Sequence, residues 1–348
     1  MRALVLGGSV FVGKCLVETL VAGGHHVTVL NRGLTPATWP AGVEHIVADR
    51  TDTQSMRAAL ADTAAPESAW DAVFDVSGFV MAAGGSDIAA LLDLLDGRIG
   101  HYVYVSSIMA YDQSLLGVFP WTEDMATNPE GARSYGGFKA ATEQAMLDRH
   151  AATGFPVSIV RPAAIYGPDN NIFDMETPLF IRLCQRRPIL VPHSGLVVAS
   201  YGHVNDLCDL MMAIVGNPSA MGQVFNITAE AVTVNRYVET LAAIVGVEPH
   251  VVTIPDDMLT SIGAPVFGHL FTRSHHAALS IDKAQRLLGF APRHDFRSGH
   301  EHTYAWFLRQ GWAGRVEPLS DEVWRATWNF DAEDEMAARI VARAEVSR

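Results

Sequence analysis

Arg2-Ala-Leu-Val-Leu-Gly-Gly-Ser-Val-Phe-Val-Gly13 decides the fold. The apolar run 3–6 reads as a buried strand, Gly7-Gly8 as a tight turn, and residues 12–22 as a helix that Gly23-Gly24 stops. Strand, glycine turn and helix in that order aim unbonded helix N–H groups and a positive dipole end at an anion such as a diphosphate. The candidate binding residues at this turn are Gly7, Ser9, Val10, Phe11 and Val12. In a GxxGxxG register Val10 replaces the middle glycine, so a side chain stands where backbone normally approaches the phosphates. Gly8 and Ser9 compensate with conformational freedom and a hydroxyl donor.

Outward from this turn, strand-like segments (3–6, 26–30, 44–47, 72–76, 102–106, 157–160) alternate with helical ones (12–22, 53–61, 86–95, 133–153). Such alternation predicts an α/β fold, a doubly wound parallel sheet with helices on both faces. After Arg161-Pro162 it loosens, with helices near 178–185 and 203–215, an extended piece at 189–198, a strand at 223–227 and a helix at 282–288. The expected division is a dinucleotide-binding domain of 1–165 and about 200–230, and a smaller, discontinuous substrate lobe of about 166–199 and 231–311. A C-terminal extension, 312–348, reads as packing plus a solvated acidic helix around 331–335.

The second strand ends in Asn31-Arg32 rather than in a carboxylate that would bind both ribose hydroxyls. A guanidinium grips a 2′-phosphate and an amide does not repel one, which tilts the cofactor from NAD toward NADP; a plain polar turn is the alternative. Asp49 and Arg50 follow the third strand and Val76 and Ser77 the fourth, where the chain approaches an adenosine; Asp49 can instead cap the next helix. Three scattered cysteines and 14 histidines form no metal-ligand spacing, so no metal is expected and the thiols fit a reducing, cytoplasmic setting. No apolar run is long enough for a bilayer, and the opening lacks a signal peptide's three regions. With a net charge of −13, no nucleic-acid partner is expected; the partner is a small molecule.

Tyr135-Gly-Gly-Phe-Lys139 carries the chemistry. Residues four apart share a helix face, so Lys139 can favour the Tyr135 phenolate while Ser107, after the strand 102–106, holds a substrate oxygen. That is machinery for moving a hydroxyl proton as a carbonyl is made or broken.

Together with Val105-Ser-Ser-Ile-Met-Ala-Tyr111, Arg161-Pro-Ala-Ala-Ile-Tyr-Gly-Pro168, His203-Val-Asn-Asp-Leu207 and Lys283-Ala-Gln-Arg-Leu-Leu-Gly-Phe-Ala-Pro292, these residues resemble the extended short-chain dehydrogenase/reductase family, its NAD(P)-dependent epimerase/dehydratase group. The resemblance covers about residues 1–311 and implies a Rossmann-type fold with Ser107, Tyr135 and Lys139 catalytic. It also implies that Tyr135 and Lys139 touch the cofactor and that Pro162 and Ala164 line its nicotinamide end. Phe79, Met109, Tyr111, Asn170 and Asn171 are placed to contact a sugar-like or other small hydroxy/keto substrate. Sugar-dehydrating members resemble one another in an Asp-Glu pair that Ile108-Met109 replaces here, which disfavours 4,6-dehydration and leaves an oxidoreductase or epimerase. Where nucleotide-sugar enzymes carry a diphosphate-binding Arg, this chain has Ala199; Arg182, Arg273 or Arg293 are the possible substitutes. The family habit of pairing helices implies a homodimer through 86–95 and 133–153. The Val10 variant is similar to an atypical subgroup with chloroplast RNA-binding relatives, so a non-catalytic dinucleotide-binding regulator or an RNA-binding protein is the alternative.

Overall fold

The computed structural model describes residues 1–60, 70–77, 86–114, 118–171, 175–261, 274–319 and 328–346. Its strands are β1 (Arg2–Leu6), β2 (His26–Asn31), β3 (Glu44–Val47), β4 (Trp70–Asp75), β5 (Ile99–Val105), β6 (Val157–Pro162), β7 (Ala164–Tyr166), β8 (Pro188–Val191), β9 (Val198–His203), β10 (Val224–Ile227), β11 (Glu230–Thr233) and β12 (His250–Thr253). The helices are α1 (Phe11–Ala22), α2 (Thr53–Ala59), α3 (Ser86–Leu95), α4 (Tyr135–Thr153), α5 (Glu176–Cys184), α6 (Val204–Ile214), α7 (Val234–Val245), α8 (Asp282–Leu288), α9 (Phe296–Arg309) and α10 (Phe330–Val346).

Two compact units result. The first comprises Met1–Ile165, Val204–Thr228 and Leu279–Arg293. Its seven strands run parallel in the order β3-β2-β1-β4-β5-β6-β10. Side chains alternate across each strand: Ala3 and Val5 join Leu16, Leu20, Leu207 and Met211 on one face, while Leu4 and Leu6 join Ile88, Leu91, Leu95 and Met146 on the other. Because helices cover both faces, the central strand β1 carries apolar side chains on both sides from Ala3 to Leu6. Each fully buried Leu or Met contributes about 1.5–3 kcal/mol. The strand order reverses direction between β1 and β4, and that switch point opens the crevice used below.

The second unit, Tyr166–His203, Ala229–Ala278 and His294–Arg348, contains the antiparallel pair β9/β11 and the parallel pair β8/β12. Two expectations are corrected. Residues 279–293, assigned by the sequence to the substrate lobe, belong to the first unit, because Ala284 and Phe290 enter its core and Asn226 Nδ2 donates to Ser280 O at 3.1 Å. The C-terminal segment is part of the second unit, not an extension with a merely solvated acidic run. Ala337 and Ile340 of α10 pack with Leu190, Val252 and Ile254, and Glu333, 2% exposed, pairs with Arg182 through two hydrogen bonds. The sequence shows an acidic cluster but not that one of its members turns inward. No helix among the described residues is long and apolar enough to cross a membrane.

Removing one partner of a buried ion pair leaves the other charge uncompensated. We predict that Glu333→Ala lowers the unfolding free energy by about 3–5 kcal/mol, read from urea midpoints; an unchanged midpoint would show that Arg182 finds another partner.

Candidate active site

At the switch point a groove of about 310 Å³ is bordered by Gly7, Gly8, Ser9 and Val10 after β1, Asn31 and Arg32 after β2, Asp49 and Arg50 after β3, and Val76 and Ser77 after β4. Gly7 (φ 119°) and Gly8 (φ 84°) adopt backbone that side-chain-bearing residues rarely reach. A Cβ on Gly13 would lie 2.5 Å from Gly8 N, so only glycine lets α1 come this close to the turn. Val10 is the N-cap of α1, and its carbonyl accepts from Gly13 and Lys14 at 3.1 and 3.2 Å. The N–H groups of Phe11 and Val12 therefore precede the intrahelical ladder, where a diphosphate is bound best. The Phe11 side chain itself is buried. Loop and helix fit a dinucleotide even with Val10 in the middle position.

Asn31, expected among the cofactor contacts, borders the groove and also holds the turn beside it. Its Nδ2 donates to Gly7 O (3.1 Å) and Ser9 Oγ (3.0 Å), and its Oδ1 accepts from Gly33 N (2.7 Å), so it clamps the glycine turn. Trp39 Nε1 braces the same turn from Gly8 O at 2.7 Å. The exposed Arg32 stands at the groove rim; the Thr51 N–H and hydroxyl, with a smaller contribution from Arg32, hold Asp49 below the ordinary carboxylate range. Asp49 is not the cap of α2; Asp52 is, while Asp49 Oδ1 accepts from Thr51 N and Oγ1 at 2.9 and 2.8 Å.

Sequence reading missed Asp75. It is fully buried at the end of β4 and receives both Arg50 guanidinium nitrogens (2.6 and 2.9 Å), Tyr102 OH (2.8 Å) and Ser77 Oγ (2.9 Å). Arg50 and Ser77, read as cofactor contacts, line the groove through a network anchored on this carboxylate. Burial alone would raise the Asp75 pKa, but Arg50 outweighs it and holds the group below the ordinary carboxylate range.

The proton-transfer residues assemble at the end of β5. Ser107 begins a single 3₁₀ turn, 108–110, and its Oγ accepts from Met109 N at 3.1 Å. It is also close enough to Tyr135 to favour the charged form of the phenol. Ser134 caps α4 by accepting from Gly137 N at 3.1 Å, placing Tyr135 at the first helical position. The two glycines inside the Tyr135–Lys139 motif decide the packing. A Cβ on Gly136 would lie 2.0 Å from Met109 O, and one on Gly137 2.4 Å from Gly131 O.

Lys139, 1% exposed, donates to Val105 O at 2.6 Å and lies 4.6 Å from the Tyr104 ring centroid and 5.8 Å from that of Tyr135. Burial pushes its ammonium down to about 8, with Asp75 opposing. Burial pushes the Tyr135 phenol up to about 12, and the influence opposing it comes from Ser107 rather than from Lys139. The lysine is directed at the β5 carbonyl and lies against the tyrosine ring, not at its oxygen.

Among the remaining expected residues, Pro162 closes β6 opposite Ile227 of β10, and Ala164 opens β7; neither borders the groove. Tyr111 is corrected from substrate contact to core. It is 0% exposed, its hydroxyl donates to Asn226 Oδ1 at 2.8 Å, and the Arg161 guanidinium lies 4.5 Å from its ring centroid. Met109 is half-buried in the 3₁₀ turn. Asn170 is buried in the second unit, its amide donating to both Glu176 oxygens at 3.2 and 3.0 Å, and Asn171 beside it is half-buried. Phe79 lies outside the described residues, as does Arg273. The other two proposed diphosphate anchors have carboxylate partners: Arg182 pairs with Glu333, and Arg293 Nε lies 2.5 Å from Asp209.

Residues 3–228 match the NAD-dependent epimerase/dehydratase family, and the chain belongs to it. It is thus an enzyme of the extended short-chain dehydrogenase/reductase type, which uses NAD(P). In sequence it is similar to the chloroplast stem-loop binding protein of 41 kDa b from Arabidopsis thaliana, 29% identical over 318 residues, covering 87% of this chain and 78% of that protein. In fold it is similar to an epimerase from Methanothermobacter thermautotrophicus (TM-score 0.72, 20% identity, 90% of this chain and 94% of the other). A dTDP-glucose 4,6-dehydratase from Bacillus anthracis, solved in complex with NAD, is alike to a TM-score of 0.71 at 18% identity, over 89% of this chain and 97% of that one.

Two outcomes follow from the geometry. Gly136→Ala forces α4 away from Met109, with an expected destabilisation of ~1–3 kcal/mol, measured by thermal unfolding, and loss of the Ser107–Tyr135 contact. Lys139 keeps its charge below about pH 8 and loses it above. Because its folded pKa lies below the 10.5 of an exposed lysine, the unfolded chain binds the extra proton between those values and stability rises with pH there. Turnover that needs the ammonium falls above about pH 8, and Lys139→Arg is expected to move that alkaline limb upward in a pH–rate profile.

Proposed function

We propose that the chain catalyses hydride exchange at a carbinol carbon of a sugar-like or other small hydroxy/keto substrate, as an NAD(P)-dependent oxidoreductase or epimerase. The observation that carries this reading is the convergence of Ser107, Tyr135 and the buried Lys139 at the end of β5, with Ser107 close enough to favour the Tyr135 phenolate and the Lys139 ammonium 5.8 Å from the tyrosine ring centroid. A bound nicotinamide supplies the hydride acceptor or donor. Ser107, fixed by the Met109 N–H, orients the substrate oxygen. Tyr135, protonated in the resting site, gives its proton to a nascent alkoxide or, in the reverse sense, takes one from the carbinol. Lys139, held on the Val105 carbonyl beside the tyrosine ring, is placed to hold the nicotinamide ribose.

Dehydration is disfavoured by the residues after Ser107. Ile108 is buried and apolar, and neither it nor Met109 offers an acid or base for loss of water. Commitment of Arg182 and Arg293 to carboxylates favours a substrate that makes small demands on a diphosphate anchor. Arg32 at the groove rim favours NADP. The stem-loop-binding name belongs to the Arabidopsis protein; a net charge of −13 here favours the small-molecule reading over an RNA role.

With a substrate found by screening ketoses, aldoses and nucleotide sugars, Tyr135→Phe is expected to lower turnover by about 10²–10⁴-fold while leaving cofactor affinity within a few-fold. Full turnover in that variant would remove the proposed acid/base. Arg32→Ala is expected to weaken NADP binding by about tenfold or more and NAD binding little, by calorimetry; equal losses would assign Arg32 no role at a 2′-phosphate.

A further inference from the structure

Three histidines that the reading above does not use converge in the second unit. β9 ends in His203, His294 precedes the cap of α9, and His302 lies within that helix. One ligand nitrogen from each lies within 4.8 Å of the other two. His302 Nδ1 is 3.2 Å from His203 Nε2. The His203 and His294 ring centroids are 4.1 Å apart, and the His294 and His302 rings are nearly parallel at 10° with centroids 5.7 Å apart. His203 is fully buried, His294 half-buried and His302 exposed, so the cluster has an anchored floor and an open side.

Three imidazoles this close cannot all carry protons without mutual repulsion. The His302 pKa is depressed by burial first, then by His294 and Arg309. Asp295, next to His294, has its carboxylate engaged as the cap of α9, accepting from Ser298 N at 2.7 Å. The cluster therefore offers imidazole nitrogens and no free carboxylate of Asp295, a set suited to zinc, cobalt, nickel or copper rather than to magnesium or calcium, which want oxygen. Ligand bonds of about 2.0–2.1 Å in a tetrahedron put nitrogens about 3.3 Å apart. The His203–His302 separation already matches, and the exposed His302 has room to adjust toward His294.

We propose that His203, His294 and His302 form a three-histidine site for one divalent transition-metal ion, Zn²⁺ or Co²⁺ as the test ions, with a fourth position open to water. The ion ties the end of β9 to α9 and stabilises the second unit. Sequence spacing hid the site because His203 is remote in the chain from the other two, and His294 and His302 are not at a helical i,i+4 pairing.

The test uses untagged full-length protein, stripped with a chelator and titrated with Co²⁺ by visible absorption and with Zn²⁺ by calorimetry. The expected result is one ion per chain, visible ligand-field bands and a raised thermal midpoint. Loss of a partner that merely orients a ligand costs about 10–100-fold in affinity, so His294→Ala/His302→Ala, which spares the buried His203, should lose at least about 100-fold. Circular dichroism and dinucleotide binding report whether that variant is folded, and His302→Asp, which keeps a ligand, should retain measurable binding. Absence of stoichiometric binding to the folded wild-type chain, or equal binding by the folded double variant, would overturn the proposal.

Discussion

The site depends on one close approach: the backbone of Gly136 against the carbonyl of Met109. A single methyl group at that position would meet the oxygen at 2.0 Å. Without it, α4 descends onto the turn after β5, and everything chemical follows from that descent. Tyr135 reaches the Ser107 hydroxyl, and Lys139, one helical turn further, passes under the end of the strand to Val105 O. The same device recurs after β1, where Gly13 of α1 meets Gly8. Two helix–turn contacts, each built on the absence of a side chain, place the dinucleotide groove and the acid/base pair at the C-terminal ends of the strands.

Burial then sets the electrostatics. Asp75, Arg50, Tyr102 and Lys139 sit in one low-dielectric region, where a lone charge would be costly and a paired one is held firmly. Asp75 is the centre of this network: it fixes Arg50 and Ser77 at the groove and contributes a negative potential that keeps Lys139 charged near neutral pH. Tyr135, by contrast, stays a phenol in the resting site. In the proposed reaction this phenol serves as the proton donor.

Much of this was legible in the chain. The doubly wound sheet could be read because strand periodicity, glycine turns and helix stops agree at each step from Ala3 to Val160. Ser107, Tyr135 and Lys139 could be read because helical spacing and the preceding strand bring them together. Other features depend on tertiary contacts that spacing does not encode. Asp75 looked like an ordinary residue within a strand, and nothing in the spacing shows that the Asn31 amide holds the glycine turn. Tyr111 follows Ser107 closely in sequence, but the 3₁₀ turn rotates it into the core beside Asn226. Glu333 was hidden in an acidic run, and the direction in which Lys139 points could not be had from i,i+4 spacing alone.

The account rests on a dinucleotide bound at a turn whose middle glycine is Val10. The most direct measurement is the mass and stoichiometry of cofactor released from protein purified without additives, followed by calorimetric titration of the stripped chain with NAD and NADP. One dinucleotide per chain, retained or rebound, is the predicted result. A folded chain that releases none and binds neither would contradict it, and would mean that the Val10 side chain closes the approach that the glycine turn otherwise opens.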